Sequence, residues 1–255
     1  SGRSCELSEV DASDRISLLS LICSALVEVT SISDFSPSLL ESLISSLYTT
    51  SGDYLAGSTN GACLTALQVV SDLAAIGYLN GTTASATVNL FNTISNLVTT
   101  GDAAPDLNSA LSSFTQGVLS TMVSGQFVQD FTADKLRLQV RRDLVASLEG
   151  QDLEVPQTEA EVQYNKSKIS FSFVNQSMKA CDVGNGYSRF ALGSWSLVPY
   201  PTNETVVSPM IRIESYPNST SSTSSVSTSA VGAKKVQYTF TIPYSGYQSF
   251  GNRYT

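Results

Sequence analysis

The chain has no histidine at any of its 255 positions. That removes the Ser-His-Asp triad, the imidazole general base and the commonest metal ligand. Four cysteines with no Cys-x-x-Cys spacing do not make the usual zinc sites either. Charge is scarce: Asp, Glu, Lys and Arg together make up 14% of the residues, against roughly 25% in ordinary globular chains. No run approaches the ~18 apolar residues of a membrane-spanning helix. That makes direct membrane insertion unexpected, and a net charge of −8 argues against nucleic acid and anionic membrane surfaces as partners. The first residues lack a signal-peptide pattern, so a removed leader or a preceding region is expected.

Hydroxyls stand where charges are missing. The 43 Ser and 23 Thr are about a quarter of the chain. Asn-x-Ser/Thr sequons fall at Asn80, Asn165, Asn175, Asn203 and Asn218, which is mild evidence for a glycosylated, secreted chain. Cys5, Cys23, Cys63 and Cys181 are even in number and permit three disulfide connectivities. Together these favour an extracellular chain over a cytosolic one with buried thiols.

The charge is unevenly placed. Residues 1–130 hold 12 acids and 2 bases, whereas residues 131–255 hold 10 acids and 12 bases. The two parts carry −10 and +2, and no Lys or Arg occurs between Arg15 and Lys135. A shift this sharp predicts two structural units, 1–130 and 131–255.

The hydrophobic period changes at the same place. Helical spacing predicts helices over about 13–30 (Ile16, Leu19, Cys23, Leu26, Val27), from Ser36-Pro37 (Leu40, Leu43, Ile44, Leu47) and over 61–79 (Cys63, Leu67, Val70, Ala74), the last stopped by Asn80-Gly81. Two more follow over 83–98 (Val88, Phe91, Ser95, Val98, beside Leu90, Ile94, Leu97) and 106–124 (Leu107, Leu111, Phe114, Val118, Met122). Short connections between them predict an antiparallel bundle. Beyond residue 130 the period is two. Strands are expected at 135–141, 168–174, 189–198, 206–216 and 235–242, with a flexible Ser/Thr-rich loop at 217–230. The fold class is therefore α+β: an antiparallel helical bundle, then an antiparallel β-sandwich.

Cys23 and Cys63 both sit on apolar helix faces and so point into the bundle, where a disulfide can join the first and third helices. Cys5 would then be left for Cys181, or for a segment outside the chain.

Other candidates have plainer readings. Glu6, Glu9, Asp11 and Asp14 could hold Ca²⁺ but read better as acids favouring a helix N-terminus. Glu159 and Glu161 read as a solvated edge rather than a catalytic carboxylate pair. Gly184-Asn185-Gly186 reads as a hairpin turn, Lys234-Lys235 is too small a patch for polyanions, and Tyr244, Tyr247, Phe250 and Tyr254 read as a last strand packing on the sheet.

Trp195-Ser196-Leu197-Val198-Pro199-Tyr200-Pro201, followed by Val206-Val207-Ser208-Pro209-Met210-Ile211-Arg212-Ile213, resembles the Trp…Asn-Pro-Tyr-Pro…Val-x-Ser-Pro run of the GAIN domain in polycystin-1-like cell-surface proteins, with Val198 in place of Asn. The Ser- and Leu-rich helices leading into Leu136–Arg142 are similar to the preceding REJ region. The resemblance spans nearly the whole chain. It implies a helical subdomain followed by a β-sandwich subdomain at the cell surface. It also implies protein or glycan partners, among them the C-terminal strand segment that follows such a region. The family's self-cleavage needs a His-Leu-Ser/Thr site, and the chain contains none, so no autoproteolysis is expected. No cofactor, metal or catalytic residue is called for. The resemblance favours a non-catalytic adhesion or scaffold module. A structural subunit of an extracellular filament or coat, such as a flagellar hair, cell wall or egg coat, is the alternative, since few charges and many hydroxyls suit lateral packing. A secreted enzyme is the weakest reading.

Overall fold

The helical part of the fold, residues 12–121, follows from apolar stripes three and four residues apart. The computed structural model describes residues 12–32, 34–51, 61–98, 104–123, 125–126, 128–148, 151–163, 168–173, 187–195, 210–216 and 238–241. Among these residues five α-helices come first: α1 (Ala12–Ile32), α2 (Pro37–Ser51), α3 (Gly61–Ala75), α4 (Ala84–Asn96) and α5 (Ala104–Thr121). Ser36 caps α2, its Oγ accepting from Leu39 N at 3.2 Å, with Pro37 at the first helical position, where its missing N–H costs nothing. Thr83 caps α4 the same way, accepting from Ala86 N at 3.2 Å. The inner stripes fill one core: Leu40, Leu43, Ile44 and Leu47 of α2, Leu67 and Val70 of α3, Leu90, Phe91 and Ile94 of α4, Leu107, Leu111 and Phe114 of α5.

Two details depart from the periodic expectation. The third helix stops at Ala75 rather than Leu79, because Gly77 takes a left-handed φ of 111° that only glycine adopts cheaply. A short 3₁₀ turn, Tyr78–Gly81, carries the chain on to α4. Val88 is not a core residue but 46% exposed. At about 100° per residue it lies roughly 200° around α4 from Leu90, which is at the centre of the buried stripe. Ile16, near the first turn of α1, is also exposed.

Among the described residues seven strands follow, all paired antiparallel. They are β1 (Gln129–Thr132), β2 (Leu136–Leu144), β3 (Asp152–Glu154), β4 (Ser170–Phe173), β5 (Tyr187–Trp195), β6 (Met210–Tyr216) and β7 (Tyr238–Thr241). A four-stranded sheet has the order β1-β2-β5-β6, and a three-stranded sheet the order β3-β4-β7. Short helices α6 (Val145–Leu148) and α7 (Glu159–Gln163) lie between strands.

Alternation gives the larger sheet two faces. Leu136, Leu138 and Val140 of β2, Ala191 and Trp195 of β5 and Phe131 of β1 join the helices' own core. The rings of Phe91, Phe114 and Phe131 meet with centroids 5.3–5.7 Å apart, tying α4, α5 and β1 together. The opposite face brings Phe190 and Leu192 against Leu153 and Phe171 of the smaller sheet, with Leu148 and Val155 completing a second apolar cluster. The order of layers is thus helices, larger sheet, smaller sheet. Helices precede antiparallel strands in an α+β chain. No helix among the described residues is long and apolar enough to cross a membrane.

Candidate functional site

Past Arg15 near the start of α1 the bundle has no Lys or Arg, yet every helix ends in carbonyls that lack an intrahelical partner and are partly negative. None of the last turns of α1 to α5 contains a basic residue. At the ends of α4 and α5 the sheet supplies the missing charge. Lys135, in the turn between β1 and β2, reaches back so that Nζ donates to Asn96 O at 3.3 Å and Val98 O at 3.0 Å, at the end of α4. Its backbone N–H donates to Ser95 Oγ at 3.3 Å. Arg142 of β2 donates to Met122 O at 2.6 Å, just past the end of α5. Arg212 of β6 grips the N-terminal half of α5, donating to Asn108 O and Oδ1 at 3.2 and 3.0 Å and to Ser112 Oγ.

A fourth cation, Arg189, is buried on the same sheet face, paired across the strands with Arg142. Burial first, and the Arg142 charge second, hold its pKa below the ordinary arginine value.

Beside this junction lies a cleft of about 390 Å³. The 3₁₀ turn, the start of α4, the end of α5 and β1 form its walls. Leu79, Val118 and Phe131 give it an apolar floor, and Thr82, Thr87, Thr121, Asn80 and Gln129 bring polar groups to it. Thr82 and Thr121 already donate their hydroxyl protons to Leu79 O and Val118 O, at 3.0 and 2.8 Å. What they have left to offer is lone pairs. Gly81 leaves no room for a side chain: a Cβ there would stand 2.5 Å from Pro37 Cγ.

The structure distributes the sequence candidates as follows. Cys23 and Cys63 are joined by a disulfide that ties α1 to α3, both sulfurs fully buried. Cys5 and Cys181 lie outside the described residues. Of the sequons, Asn80 is exposed in the 3₁₀ turn, while Asn165, Asn175, Asn203 and Asn218 lie outside the described residues. So do Glu6, Glu9, Asp11, Gly184–Gly186, the 217–230 segment, Lys234-Lys235 and the aromatic tail. Asp14 is exposed in the first turn of α1.

Glu159 and Glu161 are not a solvated edge but open a helix. Glu161 accepts from Thr158 N and Oγ1 at 3.0 and 3.2 Å, and its own N–H donates to Thr158 Oγ1 at 3.3 Å, a capping box that periodicity alone does not show. Glu161 also pairs with Arg137 at 2.8 Å, so it is engaged structurally. Among the described residues, no group of three or more His, Cys, Asp or Glu side chains is placed to hold a metal ion.

Sequence reasoning missed Lys135, Arg142 and Arg212 as fastenings, although the −10/+2 split was the visible sign of them. Of the resembling run, Trp195 is buried at the end of β5, Met210–Ile213 lie on β6, and 196–209 fall outside the described residues. No protein-family model matches the chain, and no curated protein matches it in sequence.

Proposed function

We propose that the chain is a non-catalytic extracellular adhesion or scaffold module of a polycystin-1-like cell-surface protein, resembling a REJ–GAIN region without its cleavage site. The observation that carries the reading is the fastening of the sheet onto the helices. A disulfide closes the bundle, three cations hold helix carbonyls or side chains from the sheet side, and one apolar core runs across the junction. Such a body transmits force or displays a segment without needing an active site. On this reading the helices are the first subdomain, the two facing sheets are an incomplete GAIN-like sandwich, and the partners are proteins or glycans at the cell surface. A disulfide linking buried helix faces suits an oxidising compartment.

The test is secretion of the chain from eukaryotic cells, followed by non-reducing peptide mapping and intact mass. We expect an uncleaved backbone, a Cys23–Cys63 peptide and a link between Cys5 and Cys181. Self-scission, or turnover in a screen of hydrolase substrates, would remove the non-catalytic reading. Free thiols at both Cys23 and Cys63 in the secreted chain would remove the extracellular one.

A second reading, a subunit of an extracellular filament or coat, has one observation in its favour. Leu18, Leu21 and Ile22 form an exposed apolar stripe on α1, with Leu21 69% exposed. Concentration-dependent polymers in sedimentation and electron microscopy would favour the filament, and a monodisperse monomer the receptor module.

A further inference from the structure

The sequon at Asn80 and the cleft are the same place. Asn80 is exposed in the 3₁₀ turn and is itself a lining residue of the cleft, so its side chain stands at the opening. Val88 also lines the cleft, an apolar side chain that the described residues leave 46% exposed. The floor is apolar and the walls offer Thr oxygen lone pairs and the Gln129 amide. A sugar has the matching chemistry: hydroxyl and acetamido N–H donors around its edge, and C–H faces and an acetyl methyl for the apolar floor. The volume falls within the ~300–1,000 Å³ of small-molecule sites.

We propose that Asn80 carries an N-linked glycan whose first N-acetylglucosamine units lie in this cleft, over Val88 and Phe131. The proposal rests on the extracellular reading above and adds a seat for the sugar. The modification takes a lipid-pyrophosphate-linked oligosaccharide as donor. Asn80 Nδ2 bonds to C1 of the first sugar, the C1–O bond breaks so that the lipid pyrophosphate leaves with that bond's electron pair, and the proton lost from the amide ends on the released lipid pyrophosphate. Transfer to the unfolded chain comes first, and folding then lays the sugar against α4 and α5. The glycan so placed covers the apolar surface that the helix pattern leaves over at Val88.

The experiment uses the whole chain secreted from mammalian cells. Glycopeptide mass spectrometry reads occupancy at Asn80, and peptide-N-glycosidase F is applied to native and denatured protein. We expect occupancy at Asn80, release from the native chain at least tenfold slower than from the denatured chain, and nuclear Overhauser contacts between N-acetyl and Val88 methyl protons. Val88→Arg, a change at a half-exposed position, should restore fast native release while leaving the helical circular dichroism unchanged. Equal native and denatured release rates, or absence of the methyl contacts, would overturn the seat. An empty Asn80 with other sequons occupied would overturn the proposal but leave the extracellular reading standing. A secreted chain with no sequon occupied would count against both.

Discussion

Lys135 is a single side chain that stands in for the C-terminal cations the helices lack. Its ammonium meets two carbonyls at the end of α4 in a half-buried setting, where charge-assisted hydrogen bonds are worth about 1.5–3 kcal/mol. Lys135→Met keeps the stem and removes the donors. We expect it to lower unfolding stability by about 1–3 kcal/mol in urea denaturation. Lys168 offers the contrast: its pair with Glu154 is exposed on both sides, and such pairs contribute at most about 1 kcal/mol. Lys168→Met should therefore shift the midpoint far less. Equal effects from the two substitutions would show that Lys135 acts as one more surface charge rather than as a cap. The sequence announced that residues 16–134 have no base, but not where the bases beyond them would point. That direction depends on the register of β2 and β6 against the helices, which no local pattern encodes.

At the scale of elements, close packing of α3 on α5 depends on one missing side chain. A Cβ at Gly117 would lie 2.8 Å from Ala74 O and 2.9 Å from Ala74 C, both backbone atoms that cannot step aside. On a free helix, Gly→Ala gains about 1 kcal/mol. Here the helices must separate, and overpacking of this kind costs about 1–3 kcal/mol. Gly117→Ala should thus lower the melting temperature, and a rise would show that the two helices slide apart freely. The disulfide fastens α3 to a different neighbour, α1. It closes a 40-residue separation between α1 and α3, for which loop-closure entropy gives about 4 kcal/mol. Cys23→Ala with Cys63→Ala should lose most of that, as read by calorimetry. A loss under about 1 kcal/mol would place the α1–α3 contact in the apolar packing alone. Helix positions and inner faces were legible because the stripe Leu40, Leu43, Ile44, Leu47 has one period and one burial pattern. Gly77 was passed over in favour of Asn80-Gly81 because both are turn signals, and only φ distinguishes the one that ends the helix. β1 and β3 escape sequence reading because each carries a single apolar residue, Phe131 and Leu153, and one residue shows no alternation. The Asn80 cleft was not legible at all, since its walls come from four separate elements.

Taken as a whole, the molecule offsets the bundle's charge of −10 with cations from a region of +2, and the two share one core. Separate folding of the helices is therefore disfavoured: removing the sheet would take Phe131 away from Phe91 and Phe114 and leave the ends of α4 and α5 without Lys135 and Arg142. A single cooperative transition is the consequence, because neither part keeps its native contacts when the other unfolds. The chain has its own reporter for this. Trp195, its one tryptophan, is 1% exposed at the end of β5, pairs across the sheet with Leu136 and belongs to the core that the helices build. Its fluorescence follows the sheet side of the junction, while ellipticity at the helical minimum follows α1 to α5. Both should trace the same denaturant midpoint and the same slope in the disulfide-intact chain. In Arg212→Gln, which loosens the hold of β6 on α5, we expect the shared midpoint to fall without splitting. Two separated transitions in the unsubstituted chain would mean that helices and sheets are independent domains, and that the junction cannot carry load between them.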